Sequence, residues 1–186
     1  SRLIDALGSL LFDHERFDEA EELLRVALKA CKIKFGNDSE NTRASLHNLG
    51  GFLQARGKHA EAEPFLREAL DLTRSSLGDR HESTLQSINA LAVLLQELDK
   101  LAEAEVLMRE DLESSCATLG NTHADTIASM NNLARLYLEL GKGAEAEVLF
   151  RESMVAMRIS MGERHESTLA ATANLGWLLQ AQRKMD

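Results

Sequence analysis

A glycine recurs every 42 residues along the chain, at positions 36, 78, 120 and 162. The six residues after Gly78, Asp-Arg-His-Glu-Ser-Thr, return after Gly162 with one change, and looser copies follow the other two glycines. The spacing holds without an insertion, so one structural unit is repeated. Units of this length cannot bury their apolar faces alone and do so by stacking on their neighbours. The period therefore predicts a solenoid.

Each unit contains two segments with helical periodicity. The first carries a leucine followed by a small residue, at Leu7-Gly8, Leu49-Gly50, Leu91-Ala92, Leu133-Ala134 and Leu175-Gly176. Another large residue stands four positions after each leucine, which makes an apolar stripe on one helix face. The second segment carries an alanine at the same place in each unit, at Ala20, Ala62, Ala104 and Ala146. The small residues should let neighbouring helices approach closely.

The composition predicts an all-α fold. Hydrophobic residues make up 44% of the chain, and there is a single proline among 186 residues. A chain rich in Leu, Ala and Glu and nearly free of proline favours helix throughout. The periodicity predicts helices near 2–14, 18–34, 41–56, 60–76, 83–98, 102–118, 125–140, 144–160 and 167–182.

Local signals agree with these limits. Good N-cap residues stand where each first helix should begin, at Asn41, Ser83, Asp125 and Ser167. Gly57 and Gly141 stand where a first helix should end.

We expect a single domain of about four and a half repeats. The repeats divide the chain at 1–36, 37–78, 79–120, 121–162 and a partial 163–186. The last repeat lacks the residues for its second helix, so we expect the chain to be a fragment of a longer protein.

The repeated residues resemble those of a known family. Leu-Gly at 7–8, Ala20 and Ala27 resemble the tetratricopeptide repeat, and the longer unit resembles its kinesin-light-chain type. The residues that carry this resemblance are Leu119-Gly120, His123, Thr126, Asn131-Asn132-Leu133-Ala134, Gly141-Lys142, Glu145-Ala146-Glu147 and Leu149. The resemblance covers the whole chain, but Glu82, Ala124 and Glu166 replace the proline that usually follows the histidine.

The resemblance implies a fold and a site. The fold would be a tetratricopeptide-type α-solenoid, in which antiparallel helical hairpins stack into a superhelix. The first helix of each hairpin would line a concave groove that binds a peptide segment of a partner. Carried over by position, this peptide-binding groove contains Asp5, His47, Gln54, Gln86, Asn89, Gln96, Asn131, Arg135 and Trp177.

Two kinds of groove residue have an alternative interpretation. The amides of Asn89 and Asn131 offer a donor and an acceptor that would pair with any peptide backbone; the alternative is a bond to a neighbouring helix of the same chain. Trp177 is either an aromatic anchor for the ligand or a packing residue within its own repeat. Because Glu97 and Glu139 also fall in the groove, we expect a neutral or mildly basic peptide rather than an acidic one.

The charge of the chain excludes other classes of partner. A formal net charge of −9 and a pI near 5.2 disfavour nucleic acid and anionic membranes, which attract basic faces. No apolar run approaches the ~20 residues that span a bilayer. Cys31 and Cys116 lie far apart, as is typical of a reducing compartment, so we predict a cytoplasmic protein.

Repeated polar residues have local explanations. Histidines at 81, 123 and 165 are better placed to stabilise turns than to share a metal ion, because successive hairpins lie about 8–10 Å apart. Glu21–Arg25, Glu63–Arg67, Glu105–Arg109 and Glu147–Arg151 have the spacing of helical ion pairs. The basic residues at the hairpin turns (Arg16, Lys58, Lys100, Lys142 and Lys184) are predicted to be solvated.

No catalytic motif, phosphate loop or cofactor site occurs in the sequence. The leading hypothesis is therefore a non-enzymatic protein-interaction scaffold without a cofactor. One alternative is a self-association or sensor module of a larger signalling protein, forming a homo-oligomer through the open repeat end. Another is the docking arm of an enzyme whose catalytic part lies elsewhere.

Overall fold

A computed structural model of the chain describes residues 16–182, except for the side chains of 170, 174 and 177–182. This range contains eight α-helices and no strand. The helices are α1 (Phe17–Phe35), α2 (Glu40–Ala55), α3 (His59–Leu77), α4 (Glu82–Glu97), α5 (Leu101–Leu119), α6 (Ala124–Glu139), α7 (Gly143–Met161) and α8 (Glu166–Gln182). All eight begin and end within one residue of the predicted limits, and the further helix predicted near 2–14 lies outside the described residues.

The chain forms two compact units. The first spans residues 1–100 and includes α1 to α4, and the second spans 101–186 and includes α5 to α8. Within each unit, every helix packs against the next one along the chain. In the first unit α2 also contacts α4, so two first helices of successive repeats lie side by side. The division of the whole chain into one array of repeats stays a prediction.

The leucine and alanine ladders form the core of both units. Leu49, Leu91, Leu133 and Leu175 are buried, and the four alanines of the second helices are fully buried. Gly50 shows why the residue after the leucine is small. A Cβ built on Gly50 would lie 2.5 Å from Cδ2 of Leu66 on α3, so the two helices touch where the side chain is missing. The predicted close approach is confirmed at this position.

Each second helix ends at the glycine that defines the period, and this glycine has backbone angles that residues with a Cβ rarely adopt. Gly78 has φ 85° and ψ 168°, a region of backbone space occupied almost only by glycine. Gly36 and Gly162 have nearly the same angles. The next helix is then fastened to this turn, because the Thr84 hydroxyl donates a 2.7 Å hydrogen bond to the Gly78 carbonyl. The strict recurrence of glycine therefore has a steric cause.

The turn inside each hairpin uses a different conformation. Gly57 and Gly141 have φ of 71° and 72°, at the predicted ends of α2 and α6. Asp99 takes the equivalent place after α4 with φ 59°, and it is the one residue other than glycine with positive φ in the described range. Aspartate tolerates this left-handed conformation better than most residues.

The predicted N-caps are wrong by two residues. Ser39 and His81 are the N-caps of α2 and α4, so Asn41 and Ser83 lie inside the first turn. The caps of α6 and α8 differ in the same way, since His123 and His165 accept from the amides of Asp125 and Ser167. A histidine is seldom considered as a cap, because the usual caps are short oxygen-bearing side chains.

The histidines thus have the turn-stabilising role that was expected of them. Nδ1 of His81 accepts a 3.1 Å hydrogen bond from the Ser83 amide, and the other two make the same bond at 3.2 Å. In the described part of the chain, no cluster of three potential ligands is arranged to hold a metal ion.

Replacing Gly78 with alanine should destabilise the protein by about 1–3 kcal/mol, because the added Cβ disfavours the required backbone angles. Gly51 provides a matched control, since it lies inside α2 with open space around the missing side chain. Gly51→Ala should stabilise the protein by roughly 0.5–1 kcal/mol. Urea denaturation followed by circular dichroism measures both, and equal shifts for the two variants would contradict this explanation of the period.

Candidate protein-interaction site

A cleft of about 480 Å³ opens between the first helices α2 and α4 in the first unit, beside the end of α3. His47 and Gln86, two residues of the predicted groove, both line it. The remaining lining residues are Glu40, Arg43, Ala44, Asn48, Thr73, Leu77, His81, Ser83 and Ser87. Two of the nine residues predicted for the groove therefore line one concavity, and its use as a peptide site stays a prediction.

The cleft is lined by polar, charged and apolar groups. His47 is half-buried, and burial lowers the pKa of its imidazole, so the ring is neutral at neutral pH. A neutral imidazole offers one donor and one acceptor. Arg43 donates a 2.6 Å hydrogen bond to the Asp38 carbonyl at the rim.

The opposite end of the same pair of helices is closed by side chains. Nε2 of Gln54 on α2 donates a 2.9 Å hydrogen bond to Glu97 on α4. His59 lies 3.7 Å from the same carboxylate. Gln54, predicted to bind a ligand, thus links the two first helices in the free protein. Gln96 and Asn89 lie half-buried on α4.

In the second unit, Asn131 bonds its own chain. Its Oδ1 accepts a 2.8 Å hydrogen bond from the Ser153 hydroxyl on α7, which is the alternative considered for the groove asparagines. Arg135 is exposed on α6. Asp5 lies outside the described residues, and the side chain of Trp177, on α8, does so as well.

A buried carboxylate in the second unit escaped the sequence analysis. Asp111 on α5 is 4% exposed, and its Oδ2 accepts a 2.5 Å hydrogen bond from the Ser129 hydroxyl on α6. Burial raises the pKa of Asp111, and the nearby charges of Asp125 and Glu110 raise it further, while the Ser129 bond opposes them. The signal was present, because the equivalent places in other repeats hold Ala27, Ala69 and Ser153.

The lysines at the hairpin turns were predicted to be solvated. Lys58, Lys100 and Lys142 keep 35%, 44% and 38% of their side chains exposed, and they also bridge successive repeats. Lys58, Lys100 and Lys142 each donate to a glutamate 37 residues earlier, Glu21, Glu63 and Glu105, over 2.6–2.8 Å. The same glutamates pair with the arginine four residues later, as predicted. Lys100 and then Arg67 hold the pKa of Glu63 below its usual value. Each junction therefore contains a carboxylate shared by two cations.

The architecture is that of an α-solenoid built from helical hairpins, and comparison with known proteins identifies its family. Two family models described as tetratricopeptide repeat match residues 41–117 with 125–186, and residues 2–41. The chain therefore belongs to the tetratricopeptide repeat family. A search of curated proteins found no matching sequence. None of the described helices is long and apolar enough to cross a membrane.

Solved structures place the repeats close to those of kinesin light chains. A Podosopora anserina protein described as a kinesin light chain with nearly identical TPR-like repeats matches at TM-score 0.88 and 26% identity, over 98% of this chain and 87% of its own. A point variant of that protein matches at 0.89 and 25%, over 98% and 86%. BtubC (BKLC) from P. vanneervenii matches in fold at 0.84 and 23%, over 96% and 71%. The predicted resemblance is confirmed.

Replacing Asp111 with asparagine should stabilise the protein near neutral pH by on the order of 1 kcal/mol. The amide keeps an acceptor for Ser129 but carries no charge to bury. A raised folded-state pKa means that Asp111 is tolerated best when protonated, so the native protein loses stability relative to the variant as pH rises above the ordinary value of 3.8. The two proteins should therefore converge in acid.

Thermal melting of native protein and variant between pH 4 and 8 measures this difference. Asp71→Asn, at an exposed place on α3, is the control and should change the stability little. A variant at position 111 that is less stable than the native protein at pH 8 would show that the carboxylate is needed in charged form.

Proposed function

We propose that this chain is a protein-interaction scaffold, rather than an enzyme, that binds a peptide segment of a partner protein in the cleft between α2 and α4. The observation that carries this proposal is the position of the cleft. It lies between the first helices of two successive repeats and contains His47 and Gln86, the places where the family resemblance puts a ligand. A volume of about 480 Å³ is sufficient for a few residues of an extended peptide.

The lining supports a neutral or mildly basic peptide. The His47 ring and the Gln86 amide provide donors and acceptors for a peptide backbone. Glu40 and Arg43 both line the cleft, so these two charges balance. Glu97, at the opposite end of α2 and α4, and the net charge of −9 favour a positive charge on the ligand. These acidic groups would repel an acidic peptide.

We also propose that the protein works in the cytoplasm. Cys31 and Cys116 are both free thiols, and Cys31 is buried in the first unit. Unpaired cysteines are typical of proteins that remain in a reducing compartment. The similarity to kinesin-light-chain repeats agrees with this location.

Peptides selected from a random phage-displayed library against the full chain provide the probe for this function. Gln86→Ala and His47→Ala should each lower the affinity for the selected peptide by about fivefold or more, because each removes a polar contact from the cleft. Isothermal titration calorimetry measures the affinities. Asp71→Ala, at a place on α3 that does not line the cleft, is the control and should bind normally.

Two results would contradict the proposal. One is a selected peptide whose affinity is the same for both cleft variants and the native chain. The other is an equal loss in the Asp71→Ala control, which would place the peptide on the second helices. Melting temperatures of all variants show whether a loss of binding reflects unfolding.

A further inference from the structure

The outward face of α7 carries an apolar stripe. Val148, Val155 and Ile159 are 54%, 49% and 70% exposed, and their spacing of seven and four residues puts them on one side of the helix. Glu152 lies in the same row. We call these four residues the α7 stripe. A solvent-exposed helix face usually carries polar side chains, so three exposed β-branched aliphatic residues in one row are unusual.

The other second helices are different at the same places. The residues equivalent to Val148, Val155 and Ile159 are Glu22, Lys29 and Ile33 on α1, Pro64, Asp71 and Ser75 on α3, and Val106, Glu113 and Ala117 on α5. Each of those helices has at least one polar residue in the set, and only α7 has three aliphatic residues. The stripe is therefore a departure from the repeat and not a consequence of it.

Stacking of a further repeat would not cover this face. Val106 on α5 is 65% exposed although α7, the next second helix, belongs to the same unit. Val26 and Ile33 on α1 are exposed in the same way, although α3 belongs to their unit. The outward row thus stays open in a completed junction, and the α7 stripe needs another occupant.

Glu152 lacks the cation that the equivalent glutamate of the first unit has. In the first unit the equivalent carboxylate, Glu68, accepts a 2.5 Å hydrogen bond from Lys32 of the preceding second helix. The counterpart of Lys32 in the second unit is Cys116. The thiol cannot neutralise a carboxylate, and the charge of Glu152 contributes, after burial, to a raised pKa at Cys116. Glu152 makes no ion pair with any described residue.

The charged residues beside the stripe also leave an excess of negative charge. Arg151 and Arg158 flank it on one side but are paired with Glu147 and Glu163. Glu145 and Glu152 carry further negative charge, and in the described range neither has a cationic partner. The surface therefore combines exposed aliphatic groups with uncompensated negative charge, which disfavours an anionic membrane and favours a basic partner.

We propose that the α7 stripe docks a basic amphipathic helix of a partner protein. Aliphatic side chains of that helix would cover Val148, Val155 and Ile159, and a lysine or arginine among them would supply the cation that Glu152 lacks. Helices commonly pack in this way through rows of side chains three and four residues apart. The stripe belongs to the second unit and the cleft to the first, so this partner and the peptide use different residues.

The probe is a synthetic peptide with leucines at i, i+4, i+7 and i+11 and lysines on the flanking positions. Its fluorescence anisotropy is titrated with the full chain, and an otherwise identical peptide with glutamates in place of the lysines is compared. The basic peptide should bind at least about tenfold more tightly than the acidic one. Val155→Asp should reduce its affinity at least about tenfold.

The charge contribution has its own variants. Glu152→Lys should lower the affinity for the basic peptide and raise the affinity for the acidic one. Unfolding would not produce this reversal, because it would lower both affinities. Val106→Asp changes the equivalent of Val148 on α5 and, as the matched control, should leave both affinities unchanged. Cys116→Lys should supply Glu152 with its cation from within the chain and so also weaken the basic peptide.

Three outcomes would overturn the proposal. The first is equal affinity of the two peptides for the native chain, and the second is an unchanged affinity in Val155→Asp. The third is concentration-dependent self-association of the native chain, measured by sedimentation velocity and abolished by Val155→Asp. That result would make a second copy of this chain the occupant of the stripe.

Discussion

The backbone conformation of one residue in every 42 sets the arrangement of the others. At Gly78 the angles that end α3 are open almost only to glycine, and the turn that follows gives α4 its direction. The Thr84 hydroxyl bonded to the Gly78 carbonyl then fixes the start of the next repeat. The same turn recurs at Gly36 and Gly162. The same local geometry therefore orients the first helix of each repeat so that its leucine lies in the core of its unit.

Polar contacts between repeats contribute less to stability than the buried leucines do, but they help to set the register of the repeats. The glutamate shared by a lysine and an arginine appears at Glu21, Glu63 and Glu105. Partly exposed ion pairs contribute little, typically about 0–1 kcal/mol each, whereas a buried leucine contributes about 1.5–3 kcal/mol. The repeated pairs therefore define register and orientation more than they add stability. A different contact between repeats, the Lys32–Glu68 pair of the first unit, has Cys116 and Glu152 at its equivalent places in the second unit, and our proposal for the α7 stripe rests on that difference.

The fold was predictable from the sequence because the pattern of each helix recurs at the same 42-residue interval. Helix limits, buried leucines and the close approach at Gly50 were all predictable from the ladder. The N-caps were misplaced because Ser83 is a better intrinsic cap than His81, and only the geometry shows which side chain reaches the free amides. The lysine–glutamate bridges were missed because each lysine was considered within its own repeat, although a glutamate 37 residues earlier recurs at the same interval. The bond of Asn131 to Ser153 depends on side-chain directions that no spacing reveals.

We propose that the first helices of the first unit bind the ligand, and hydrogen exchange tests that proposal directly. With a library-selected peptide bound to the full chain, exchange should slow at residues 40–55 and 82–97, which line the cleft, and stay unchanged at 143–161. The reason is that a bound peptide hinders local opening of the helices it touches. Protection confined to the second helices 17–35 and 59–77, with none on α2 or α4, would contradict the central claim.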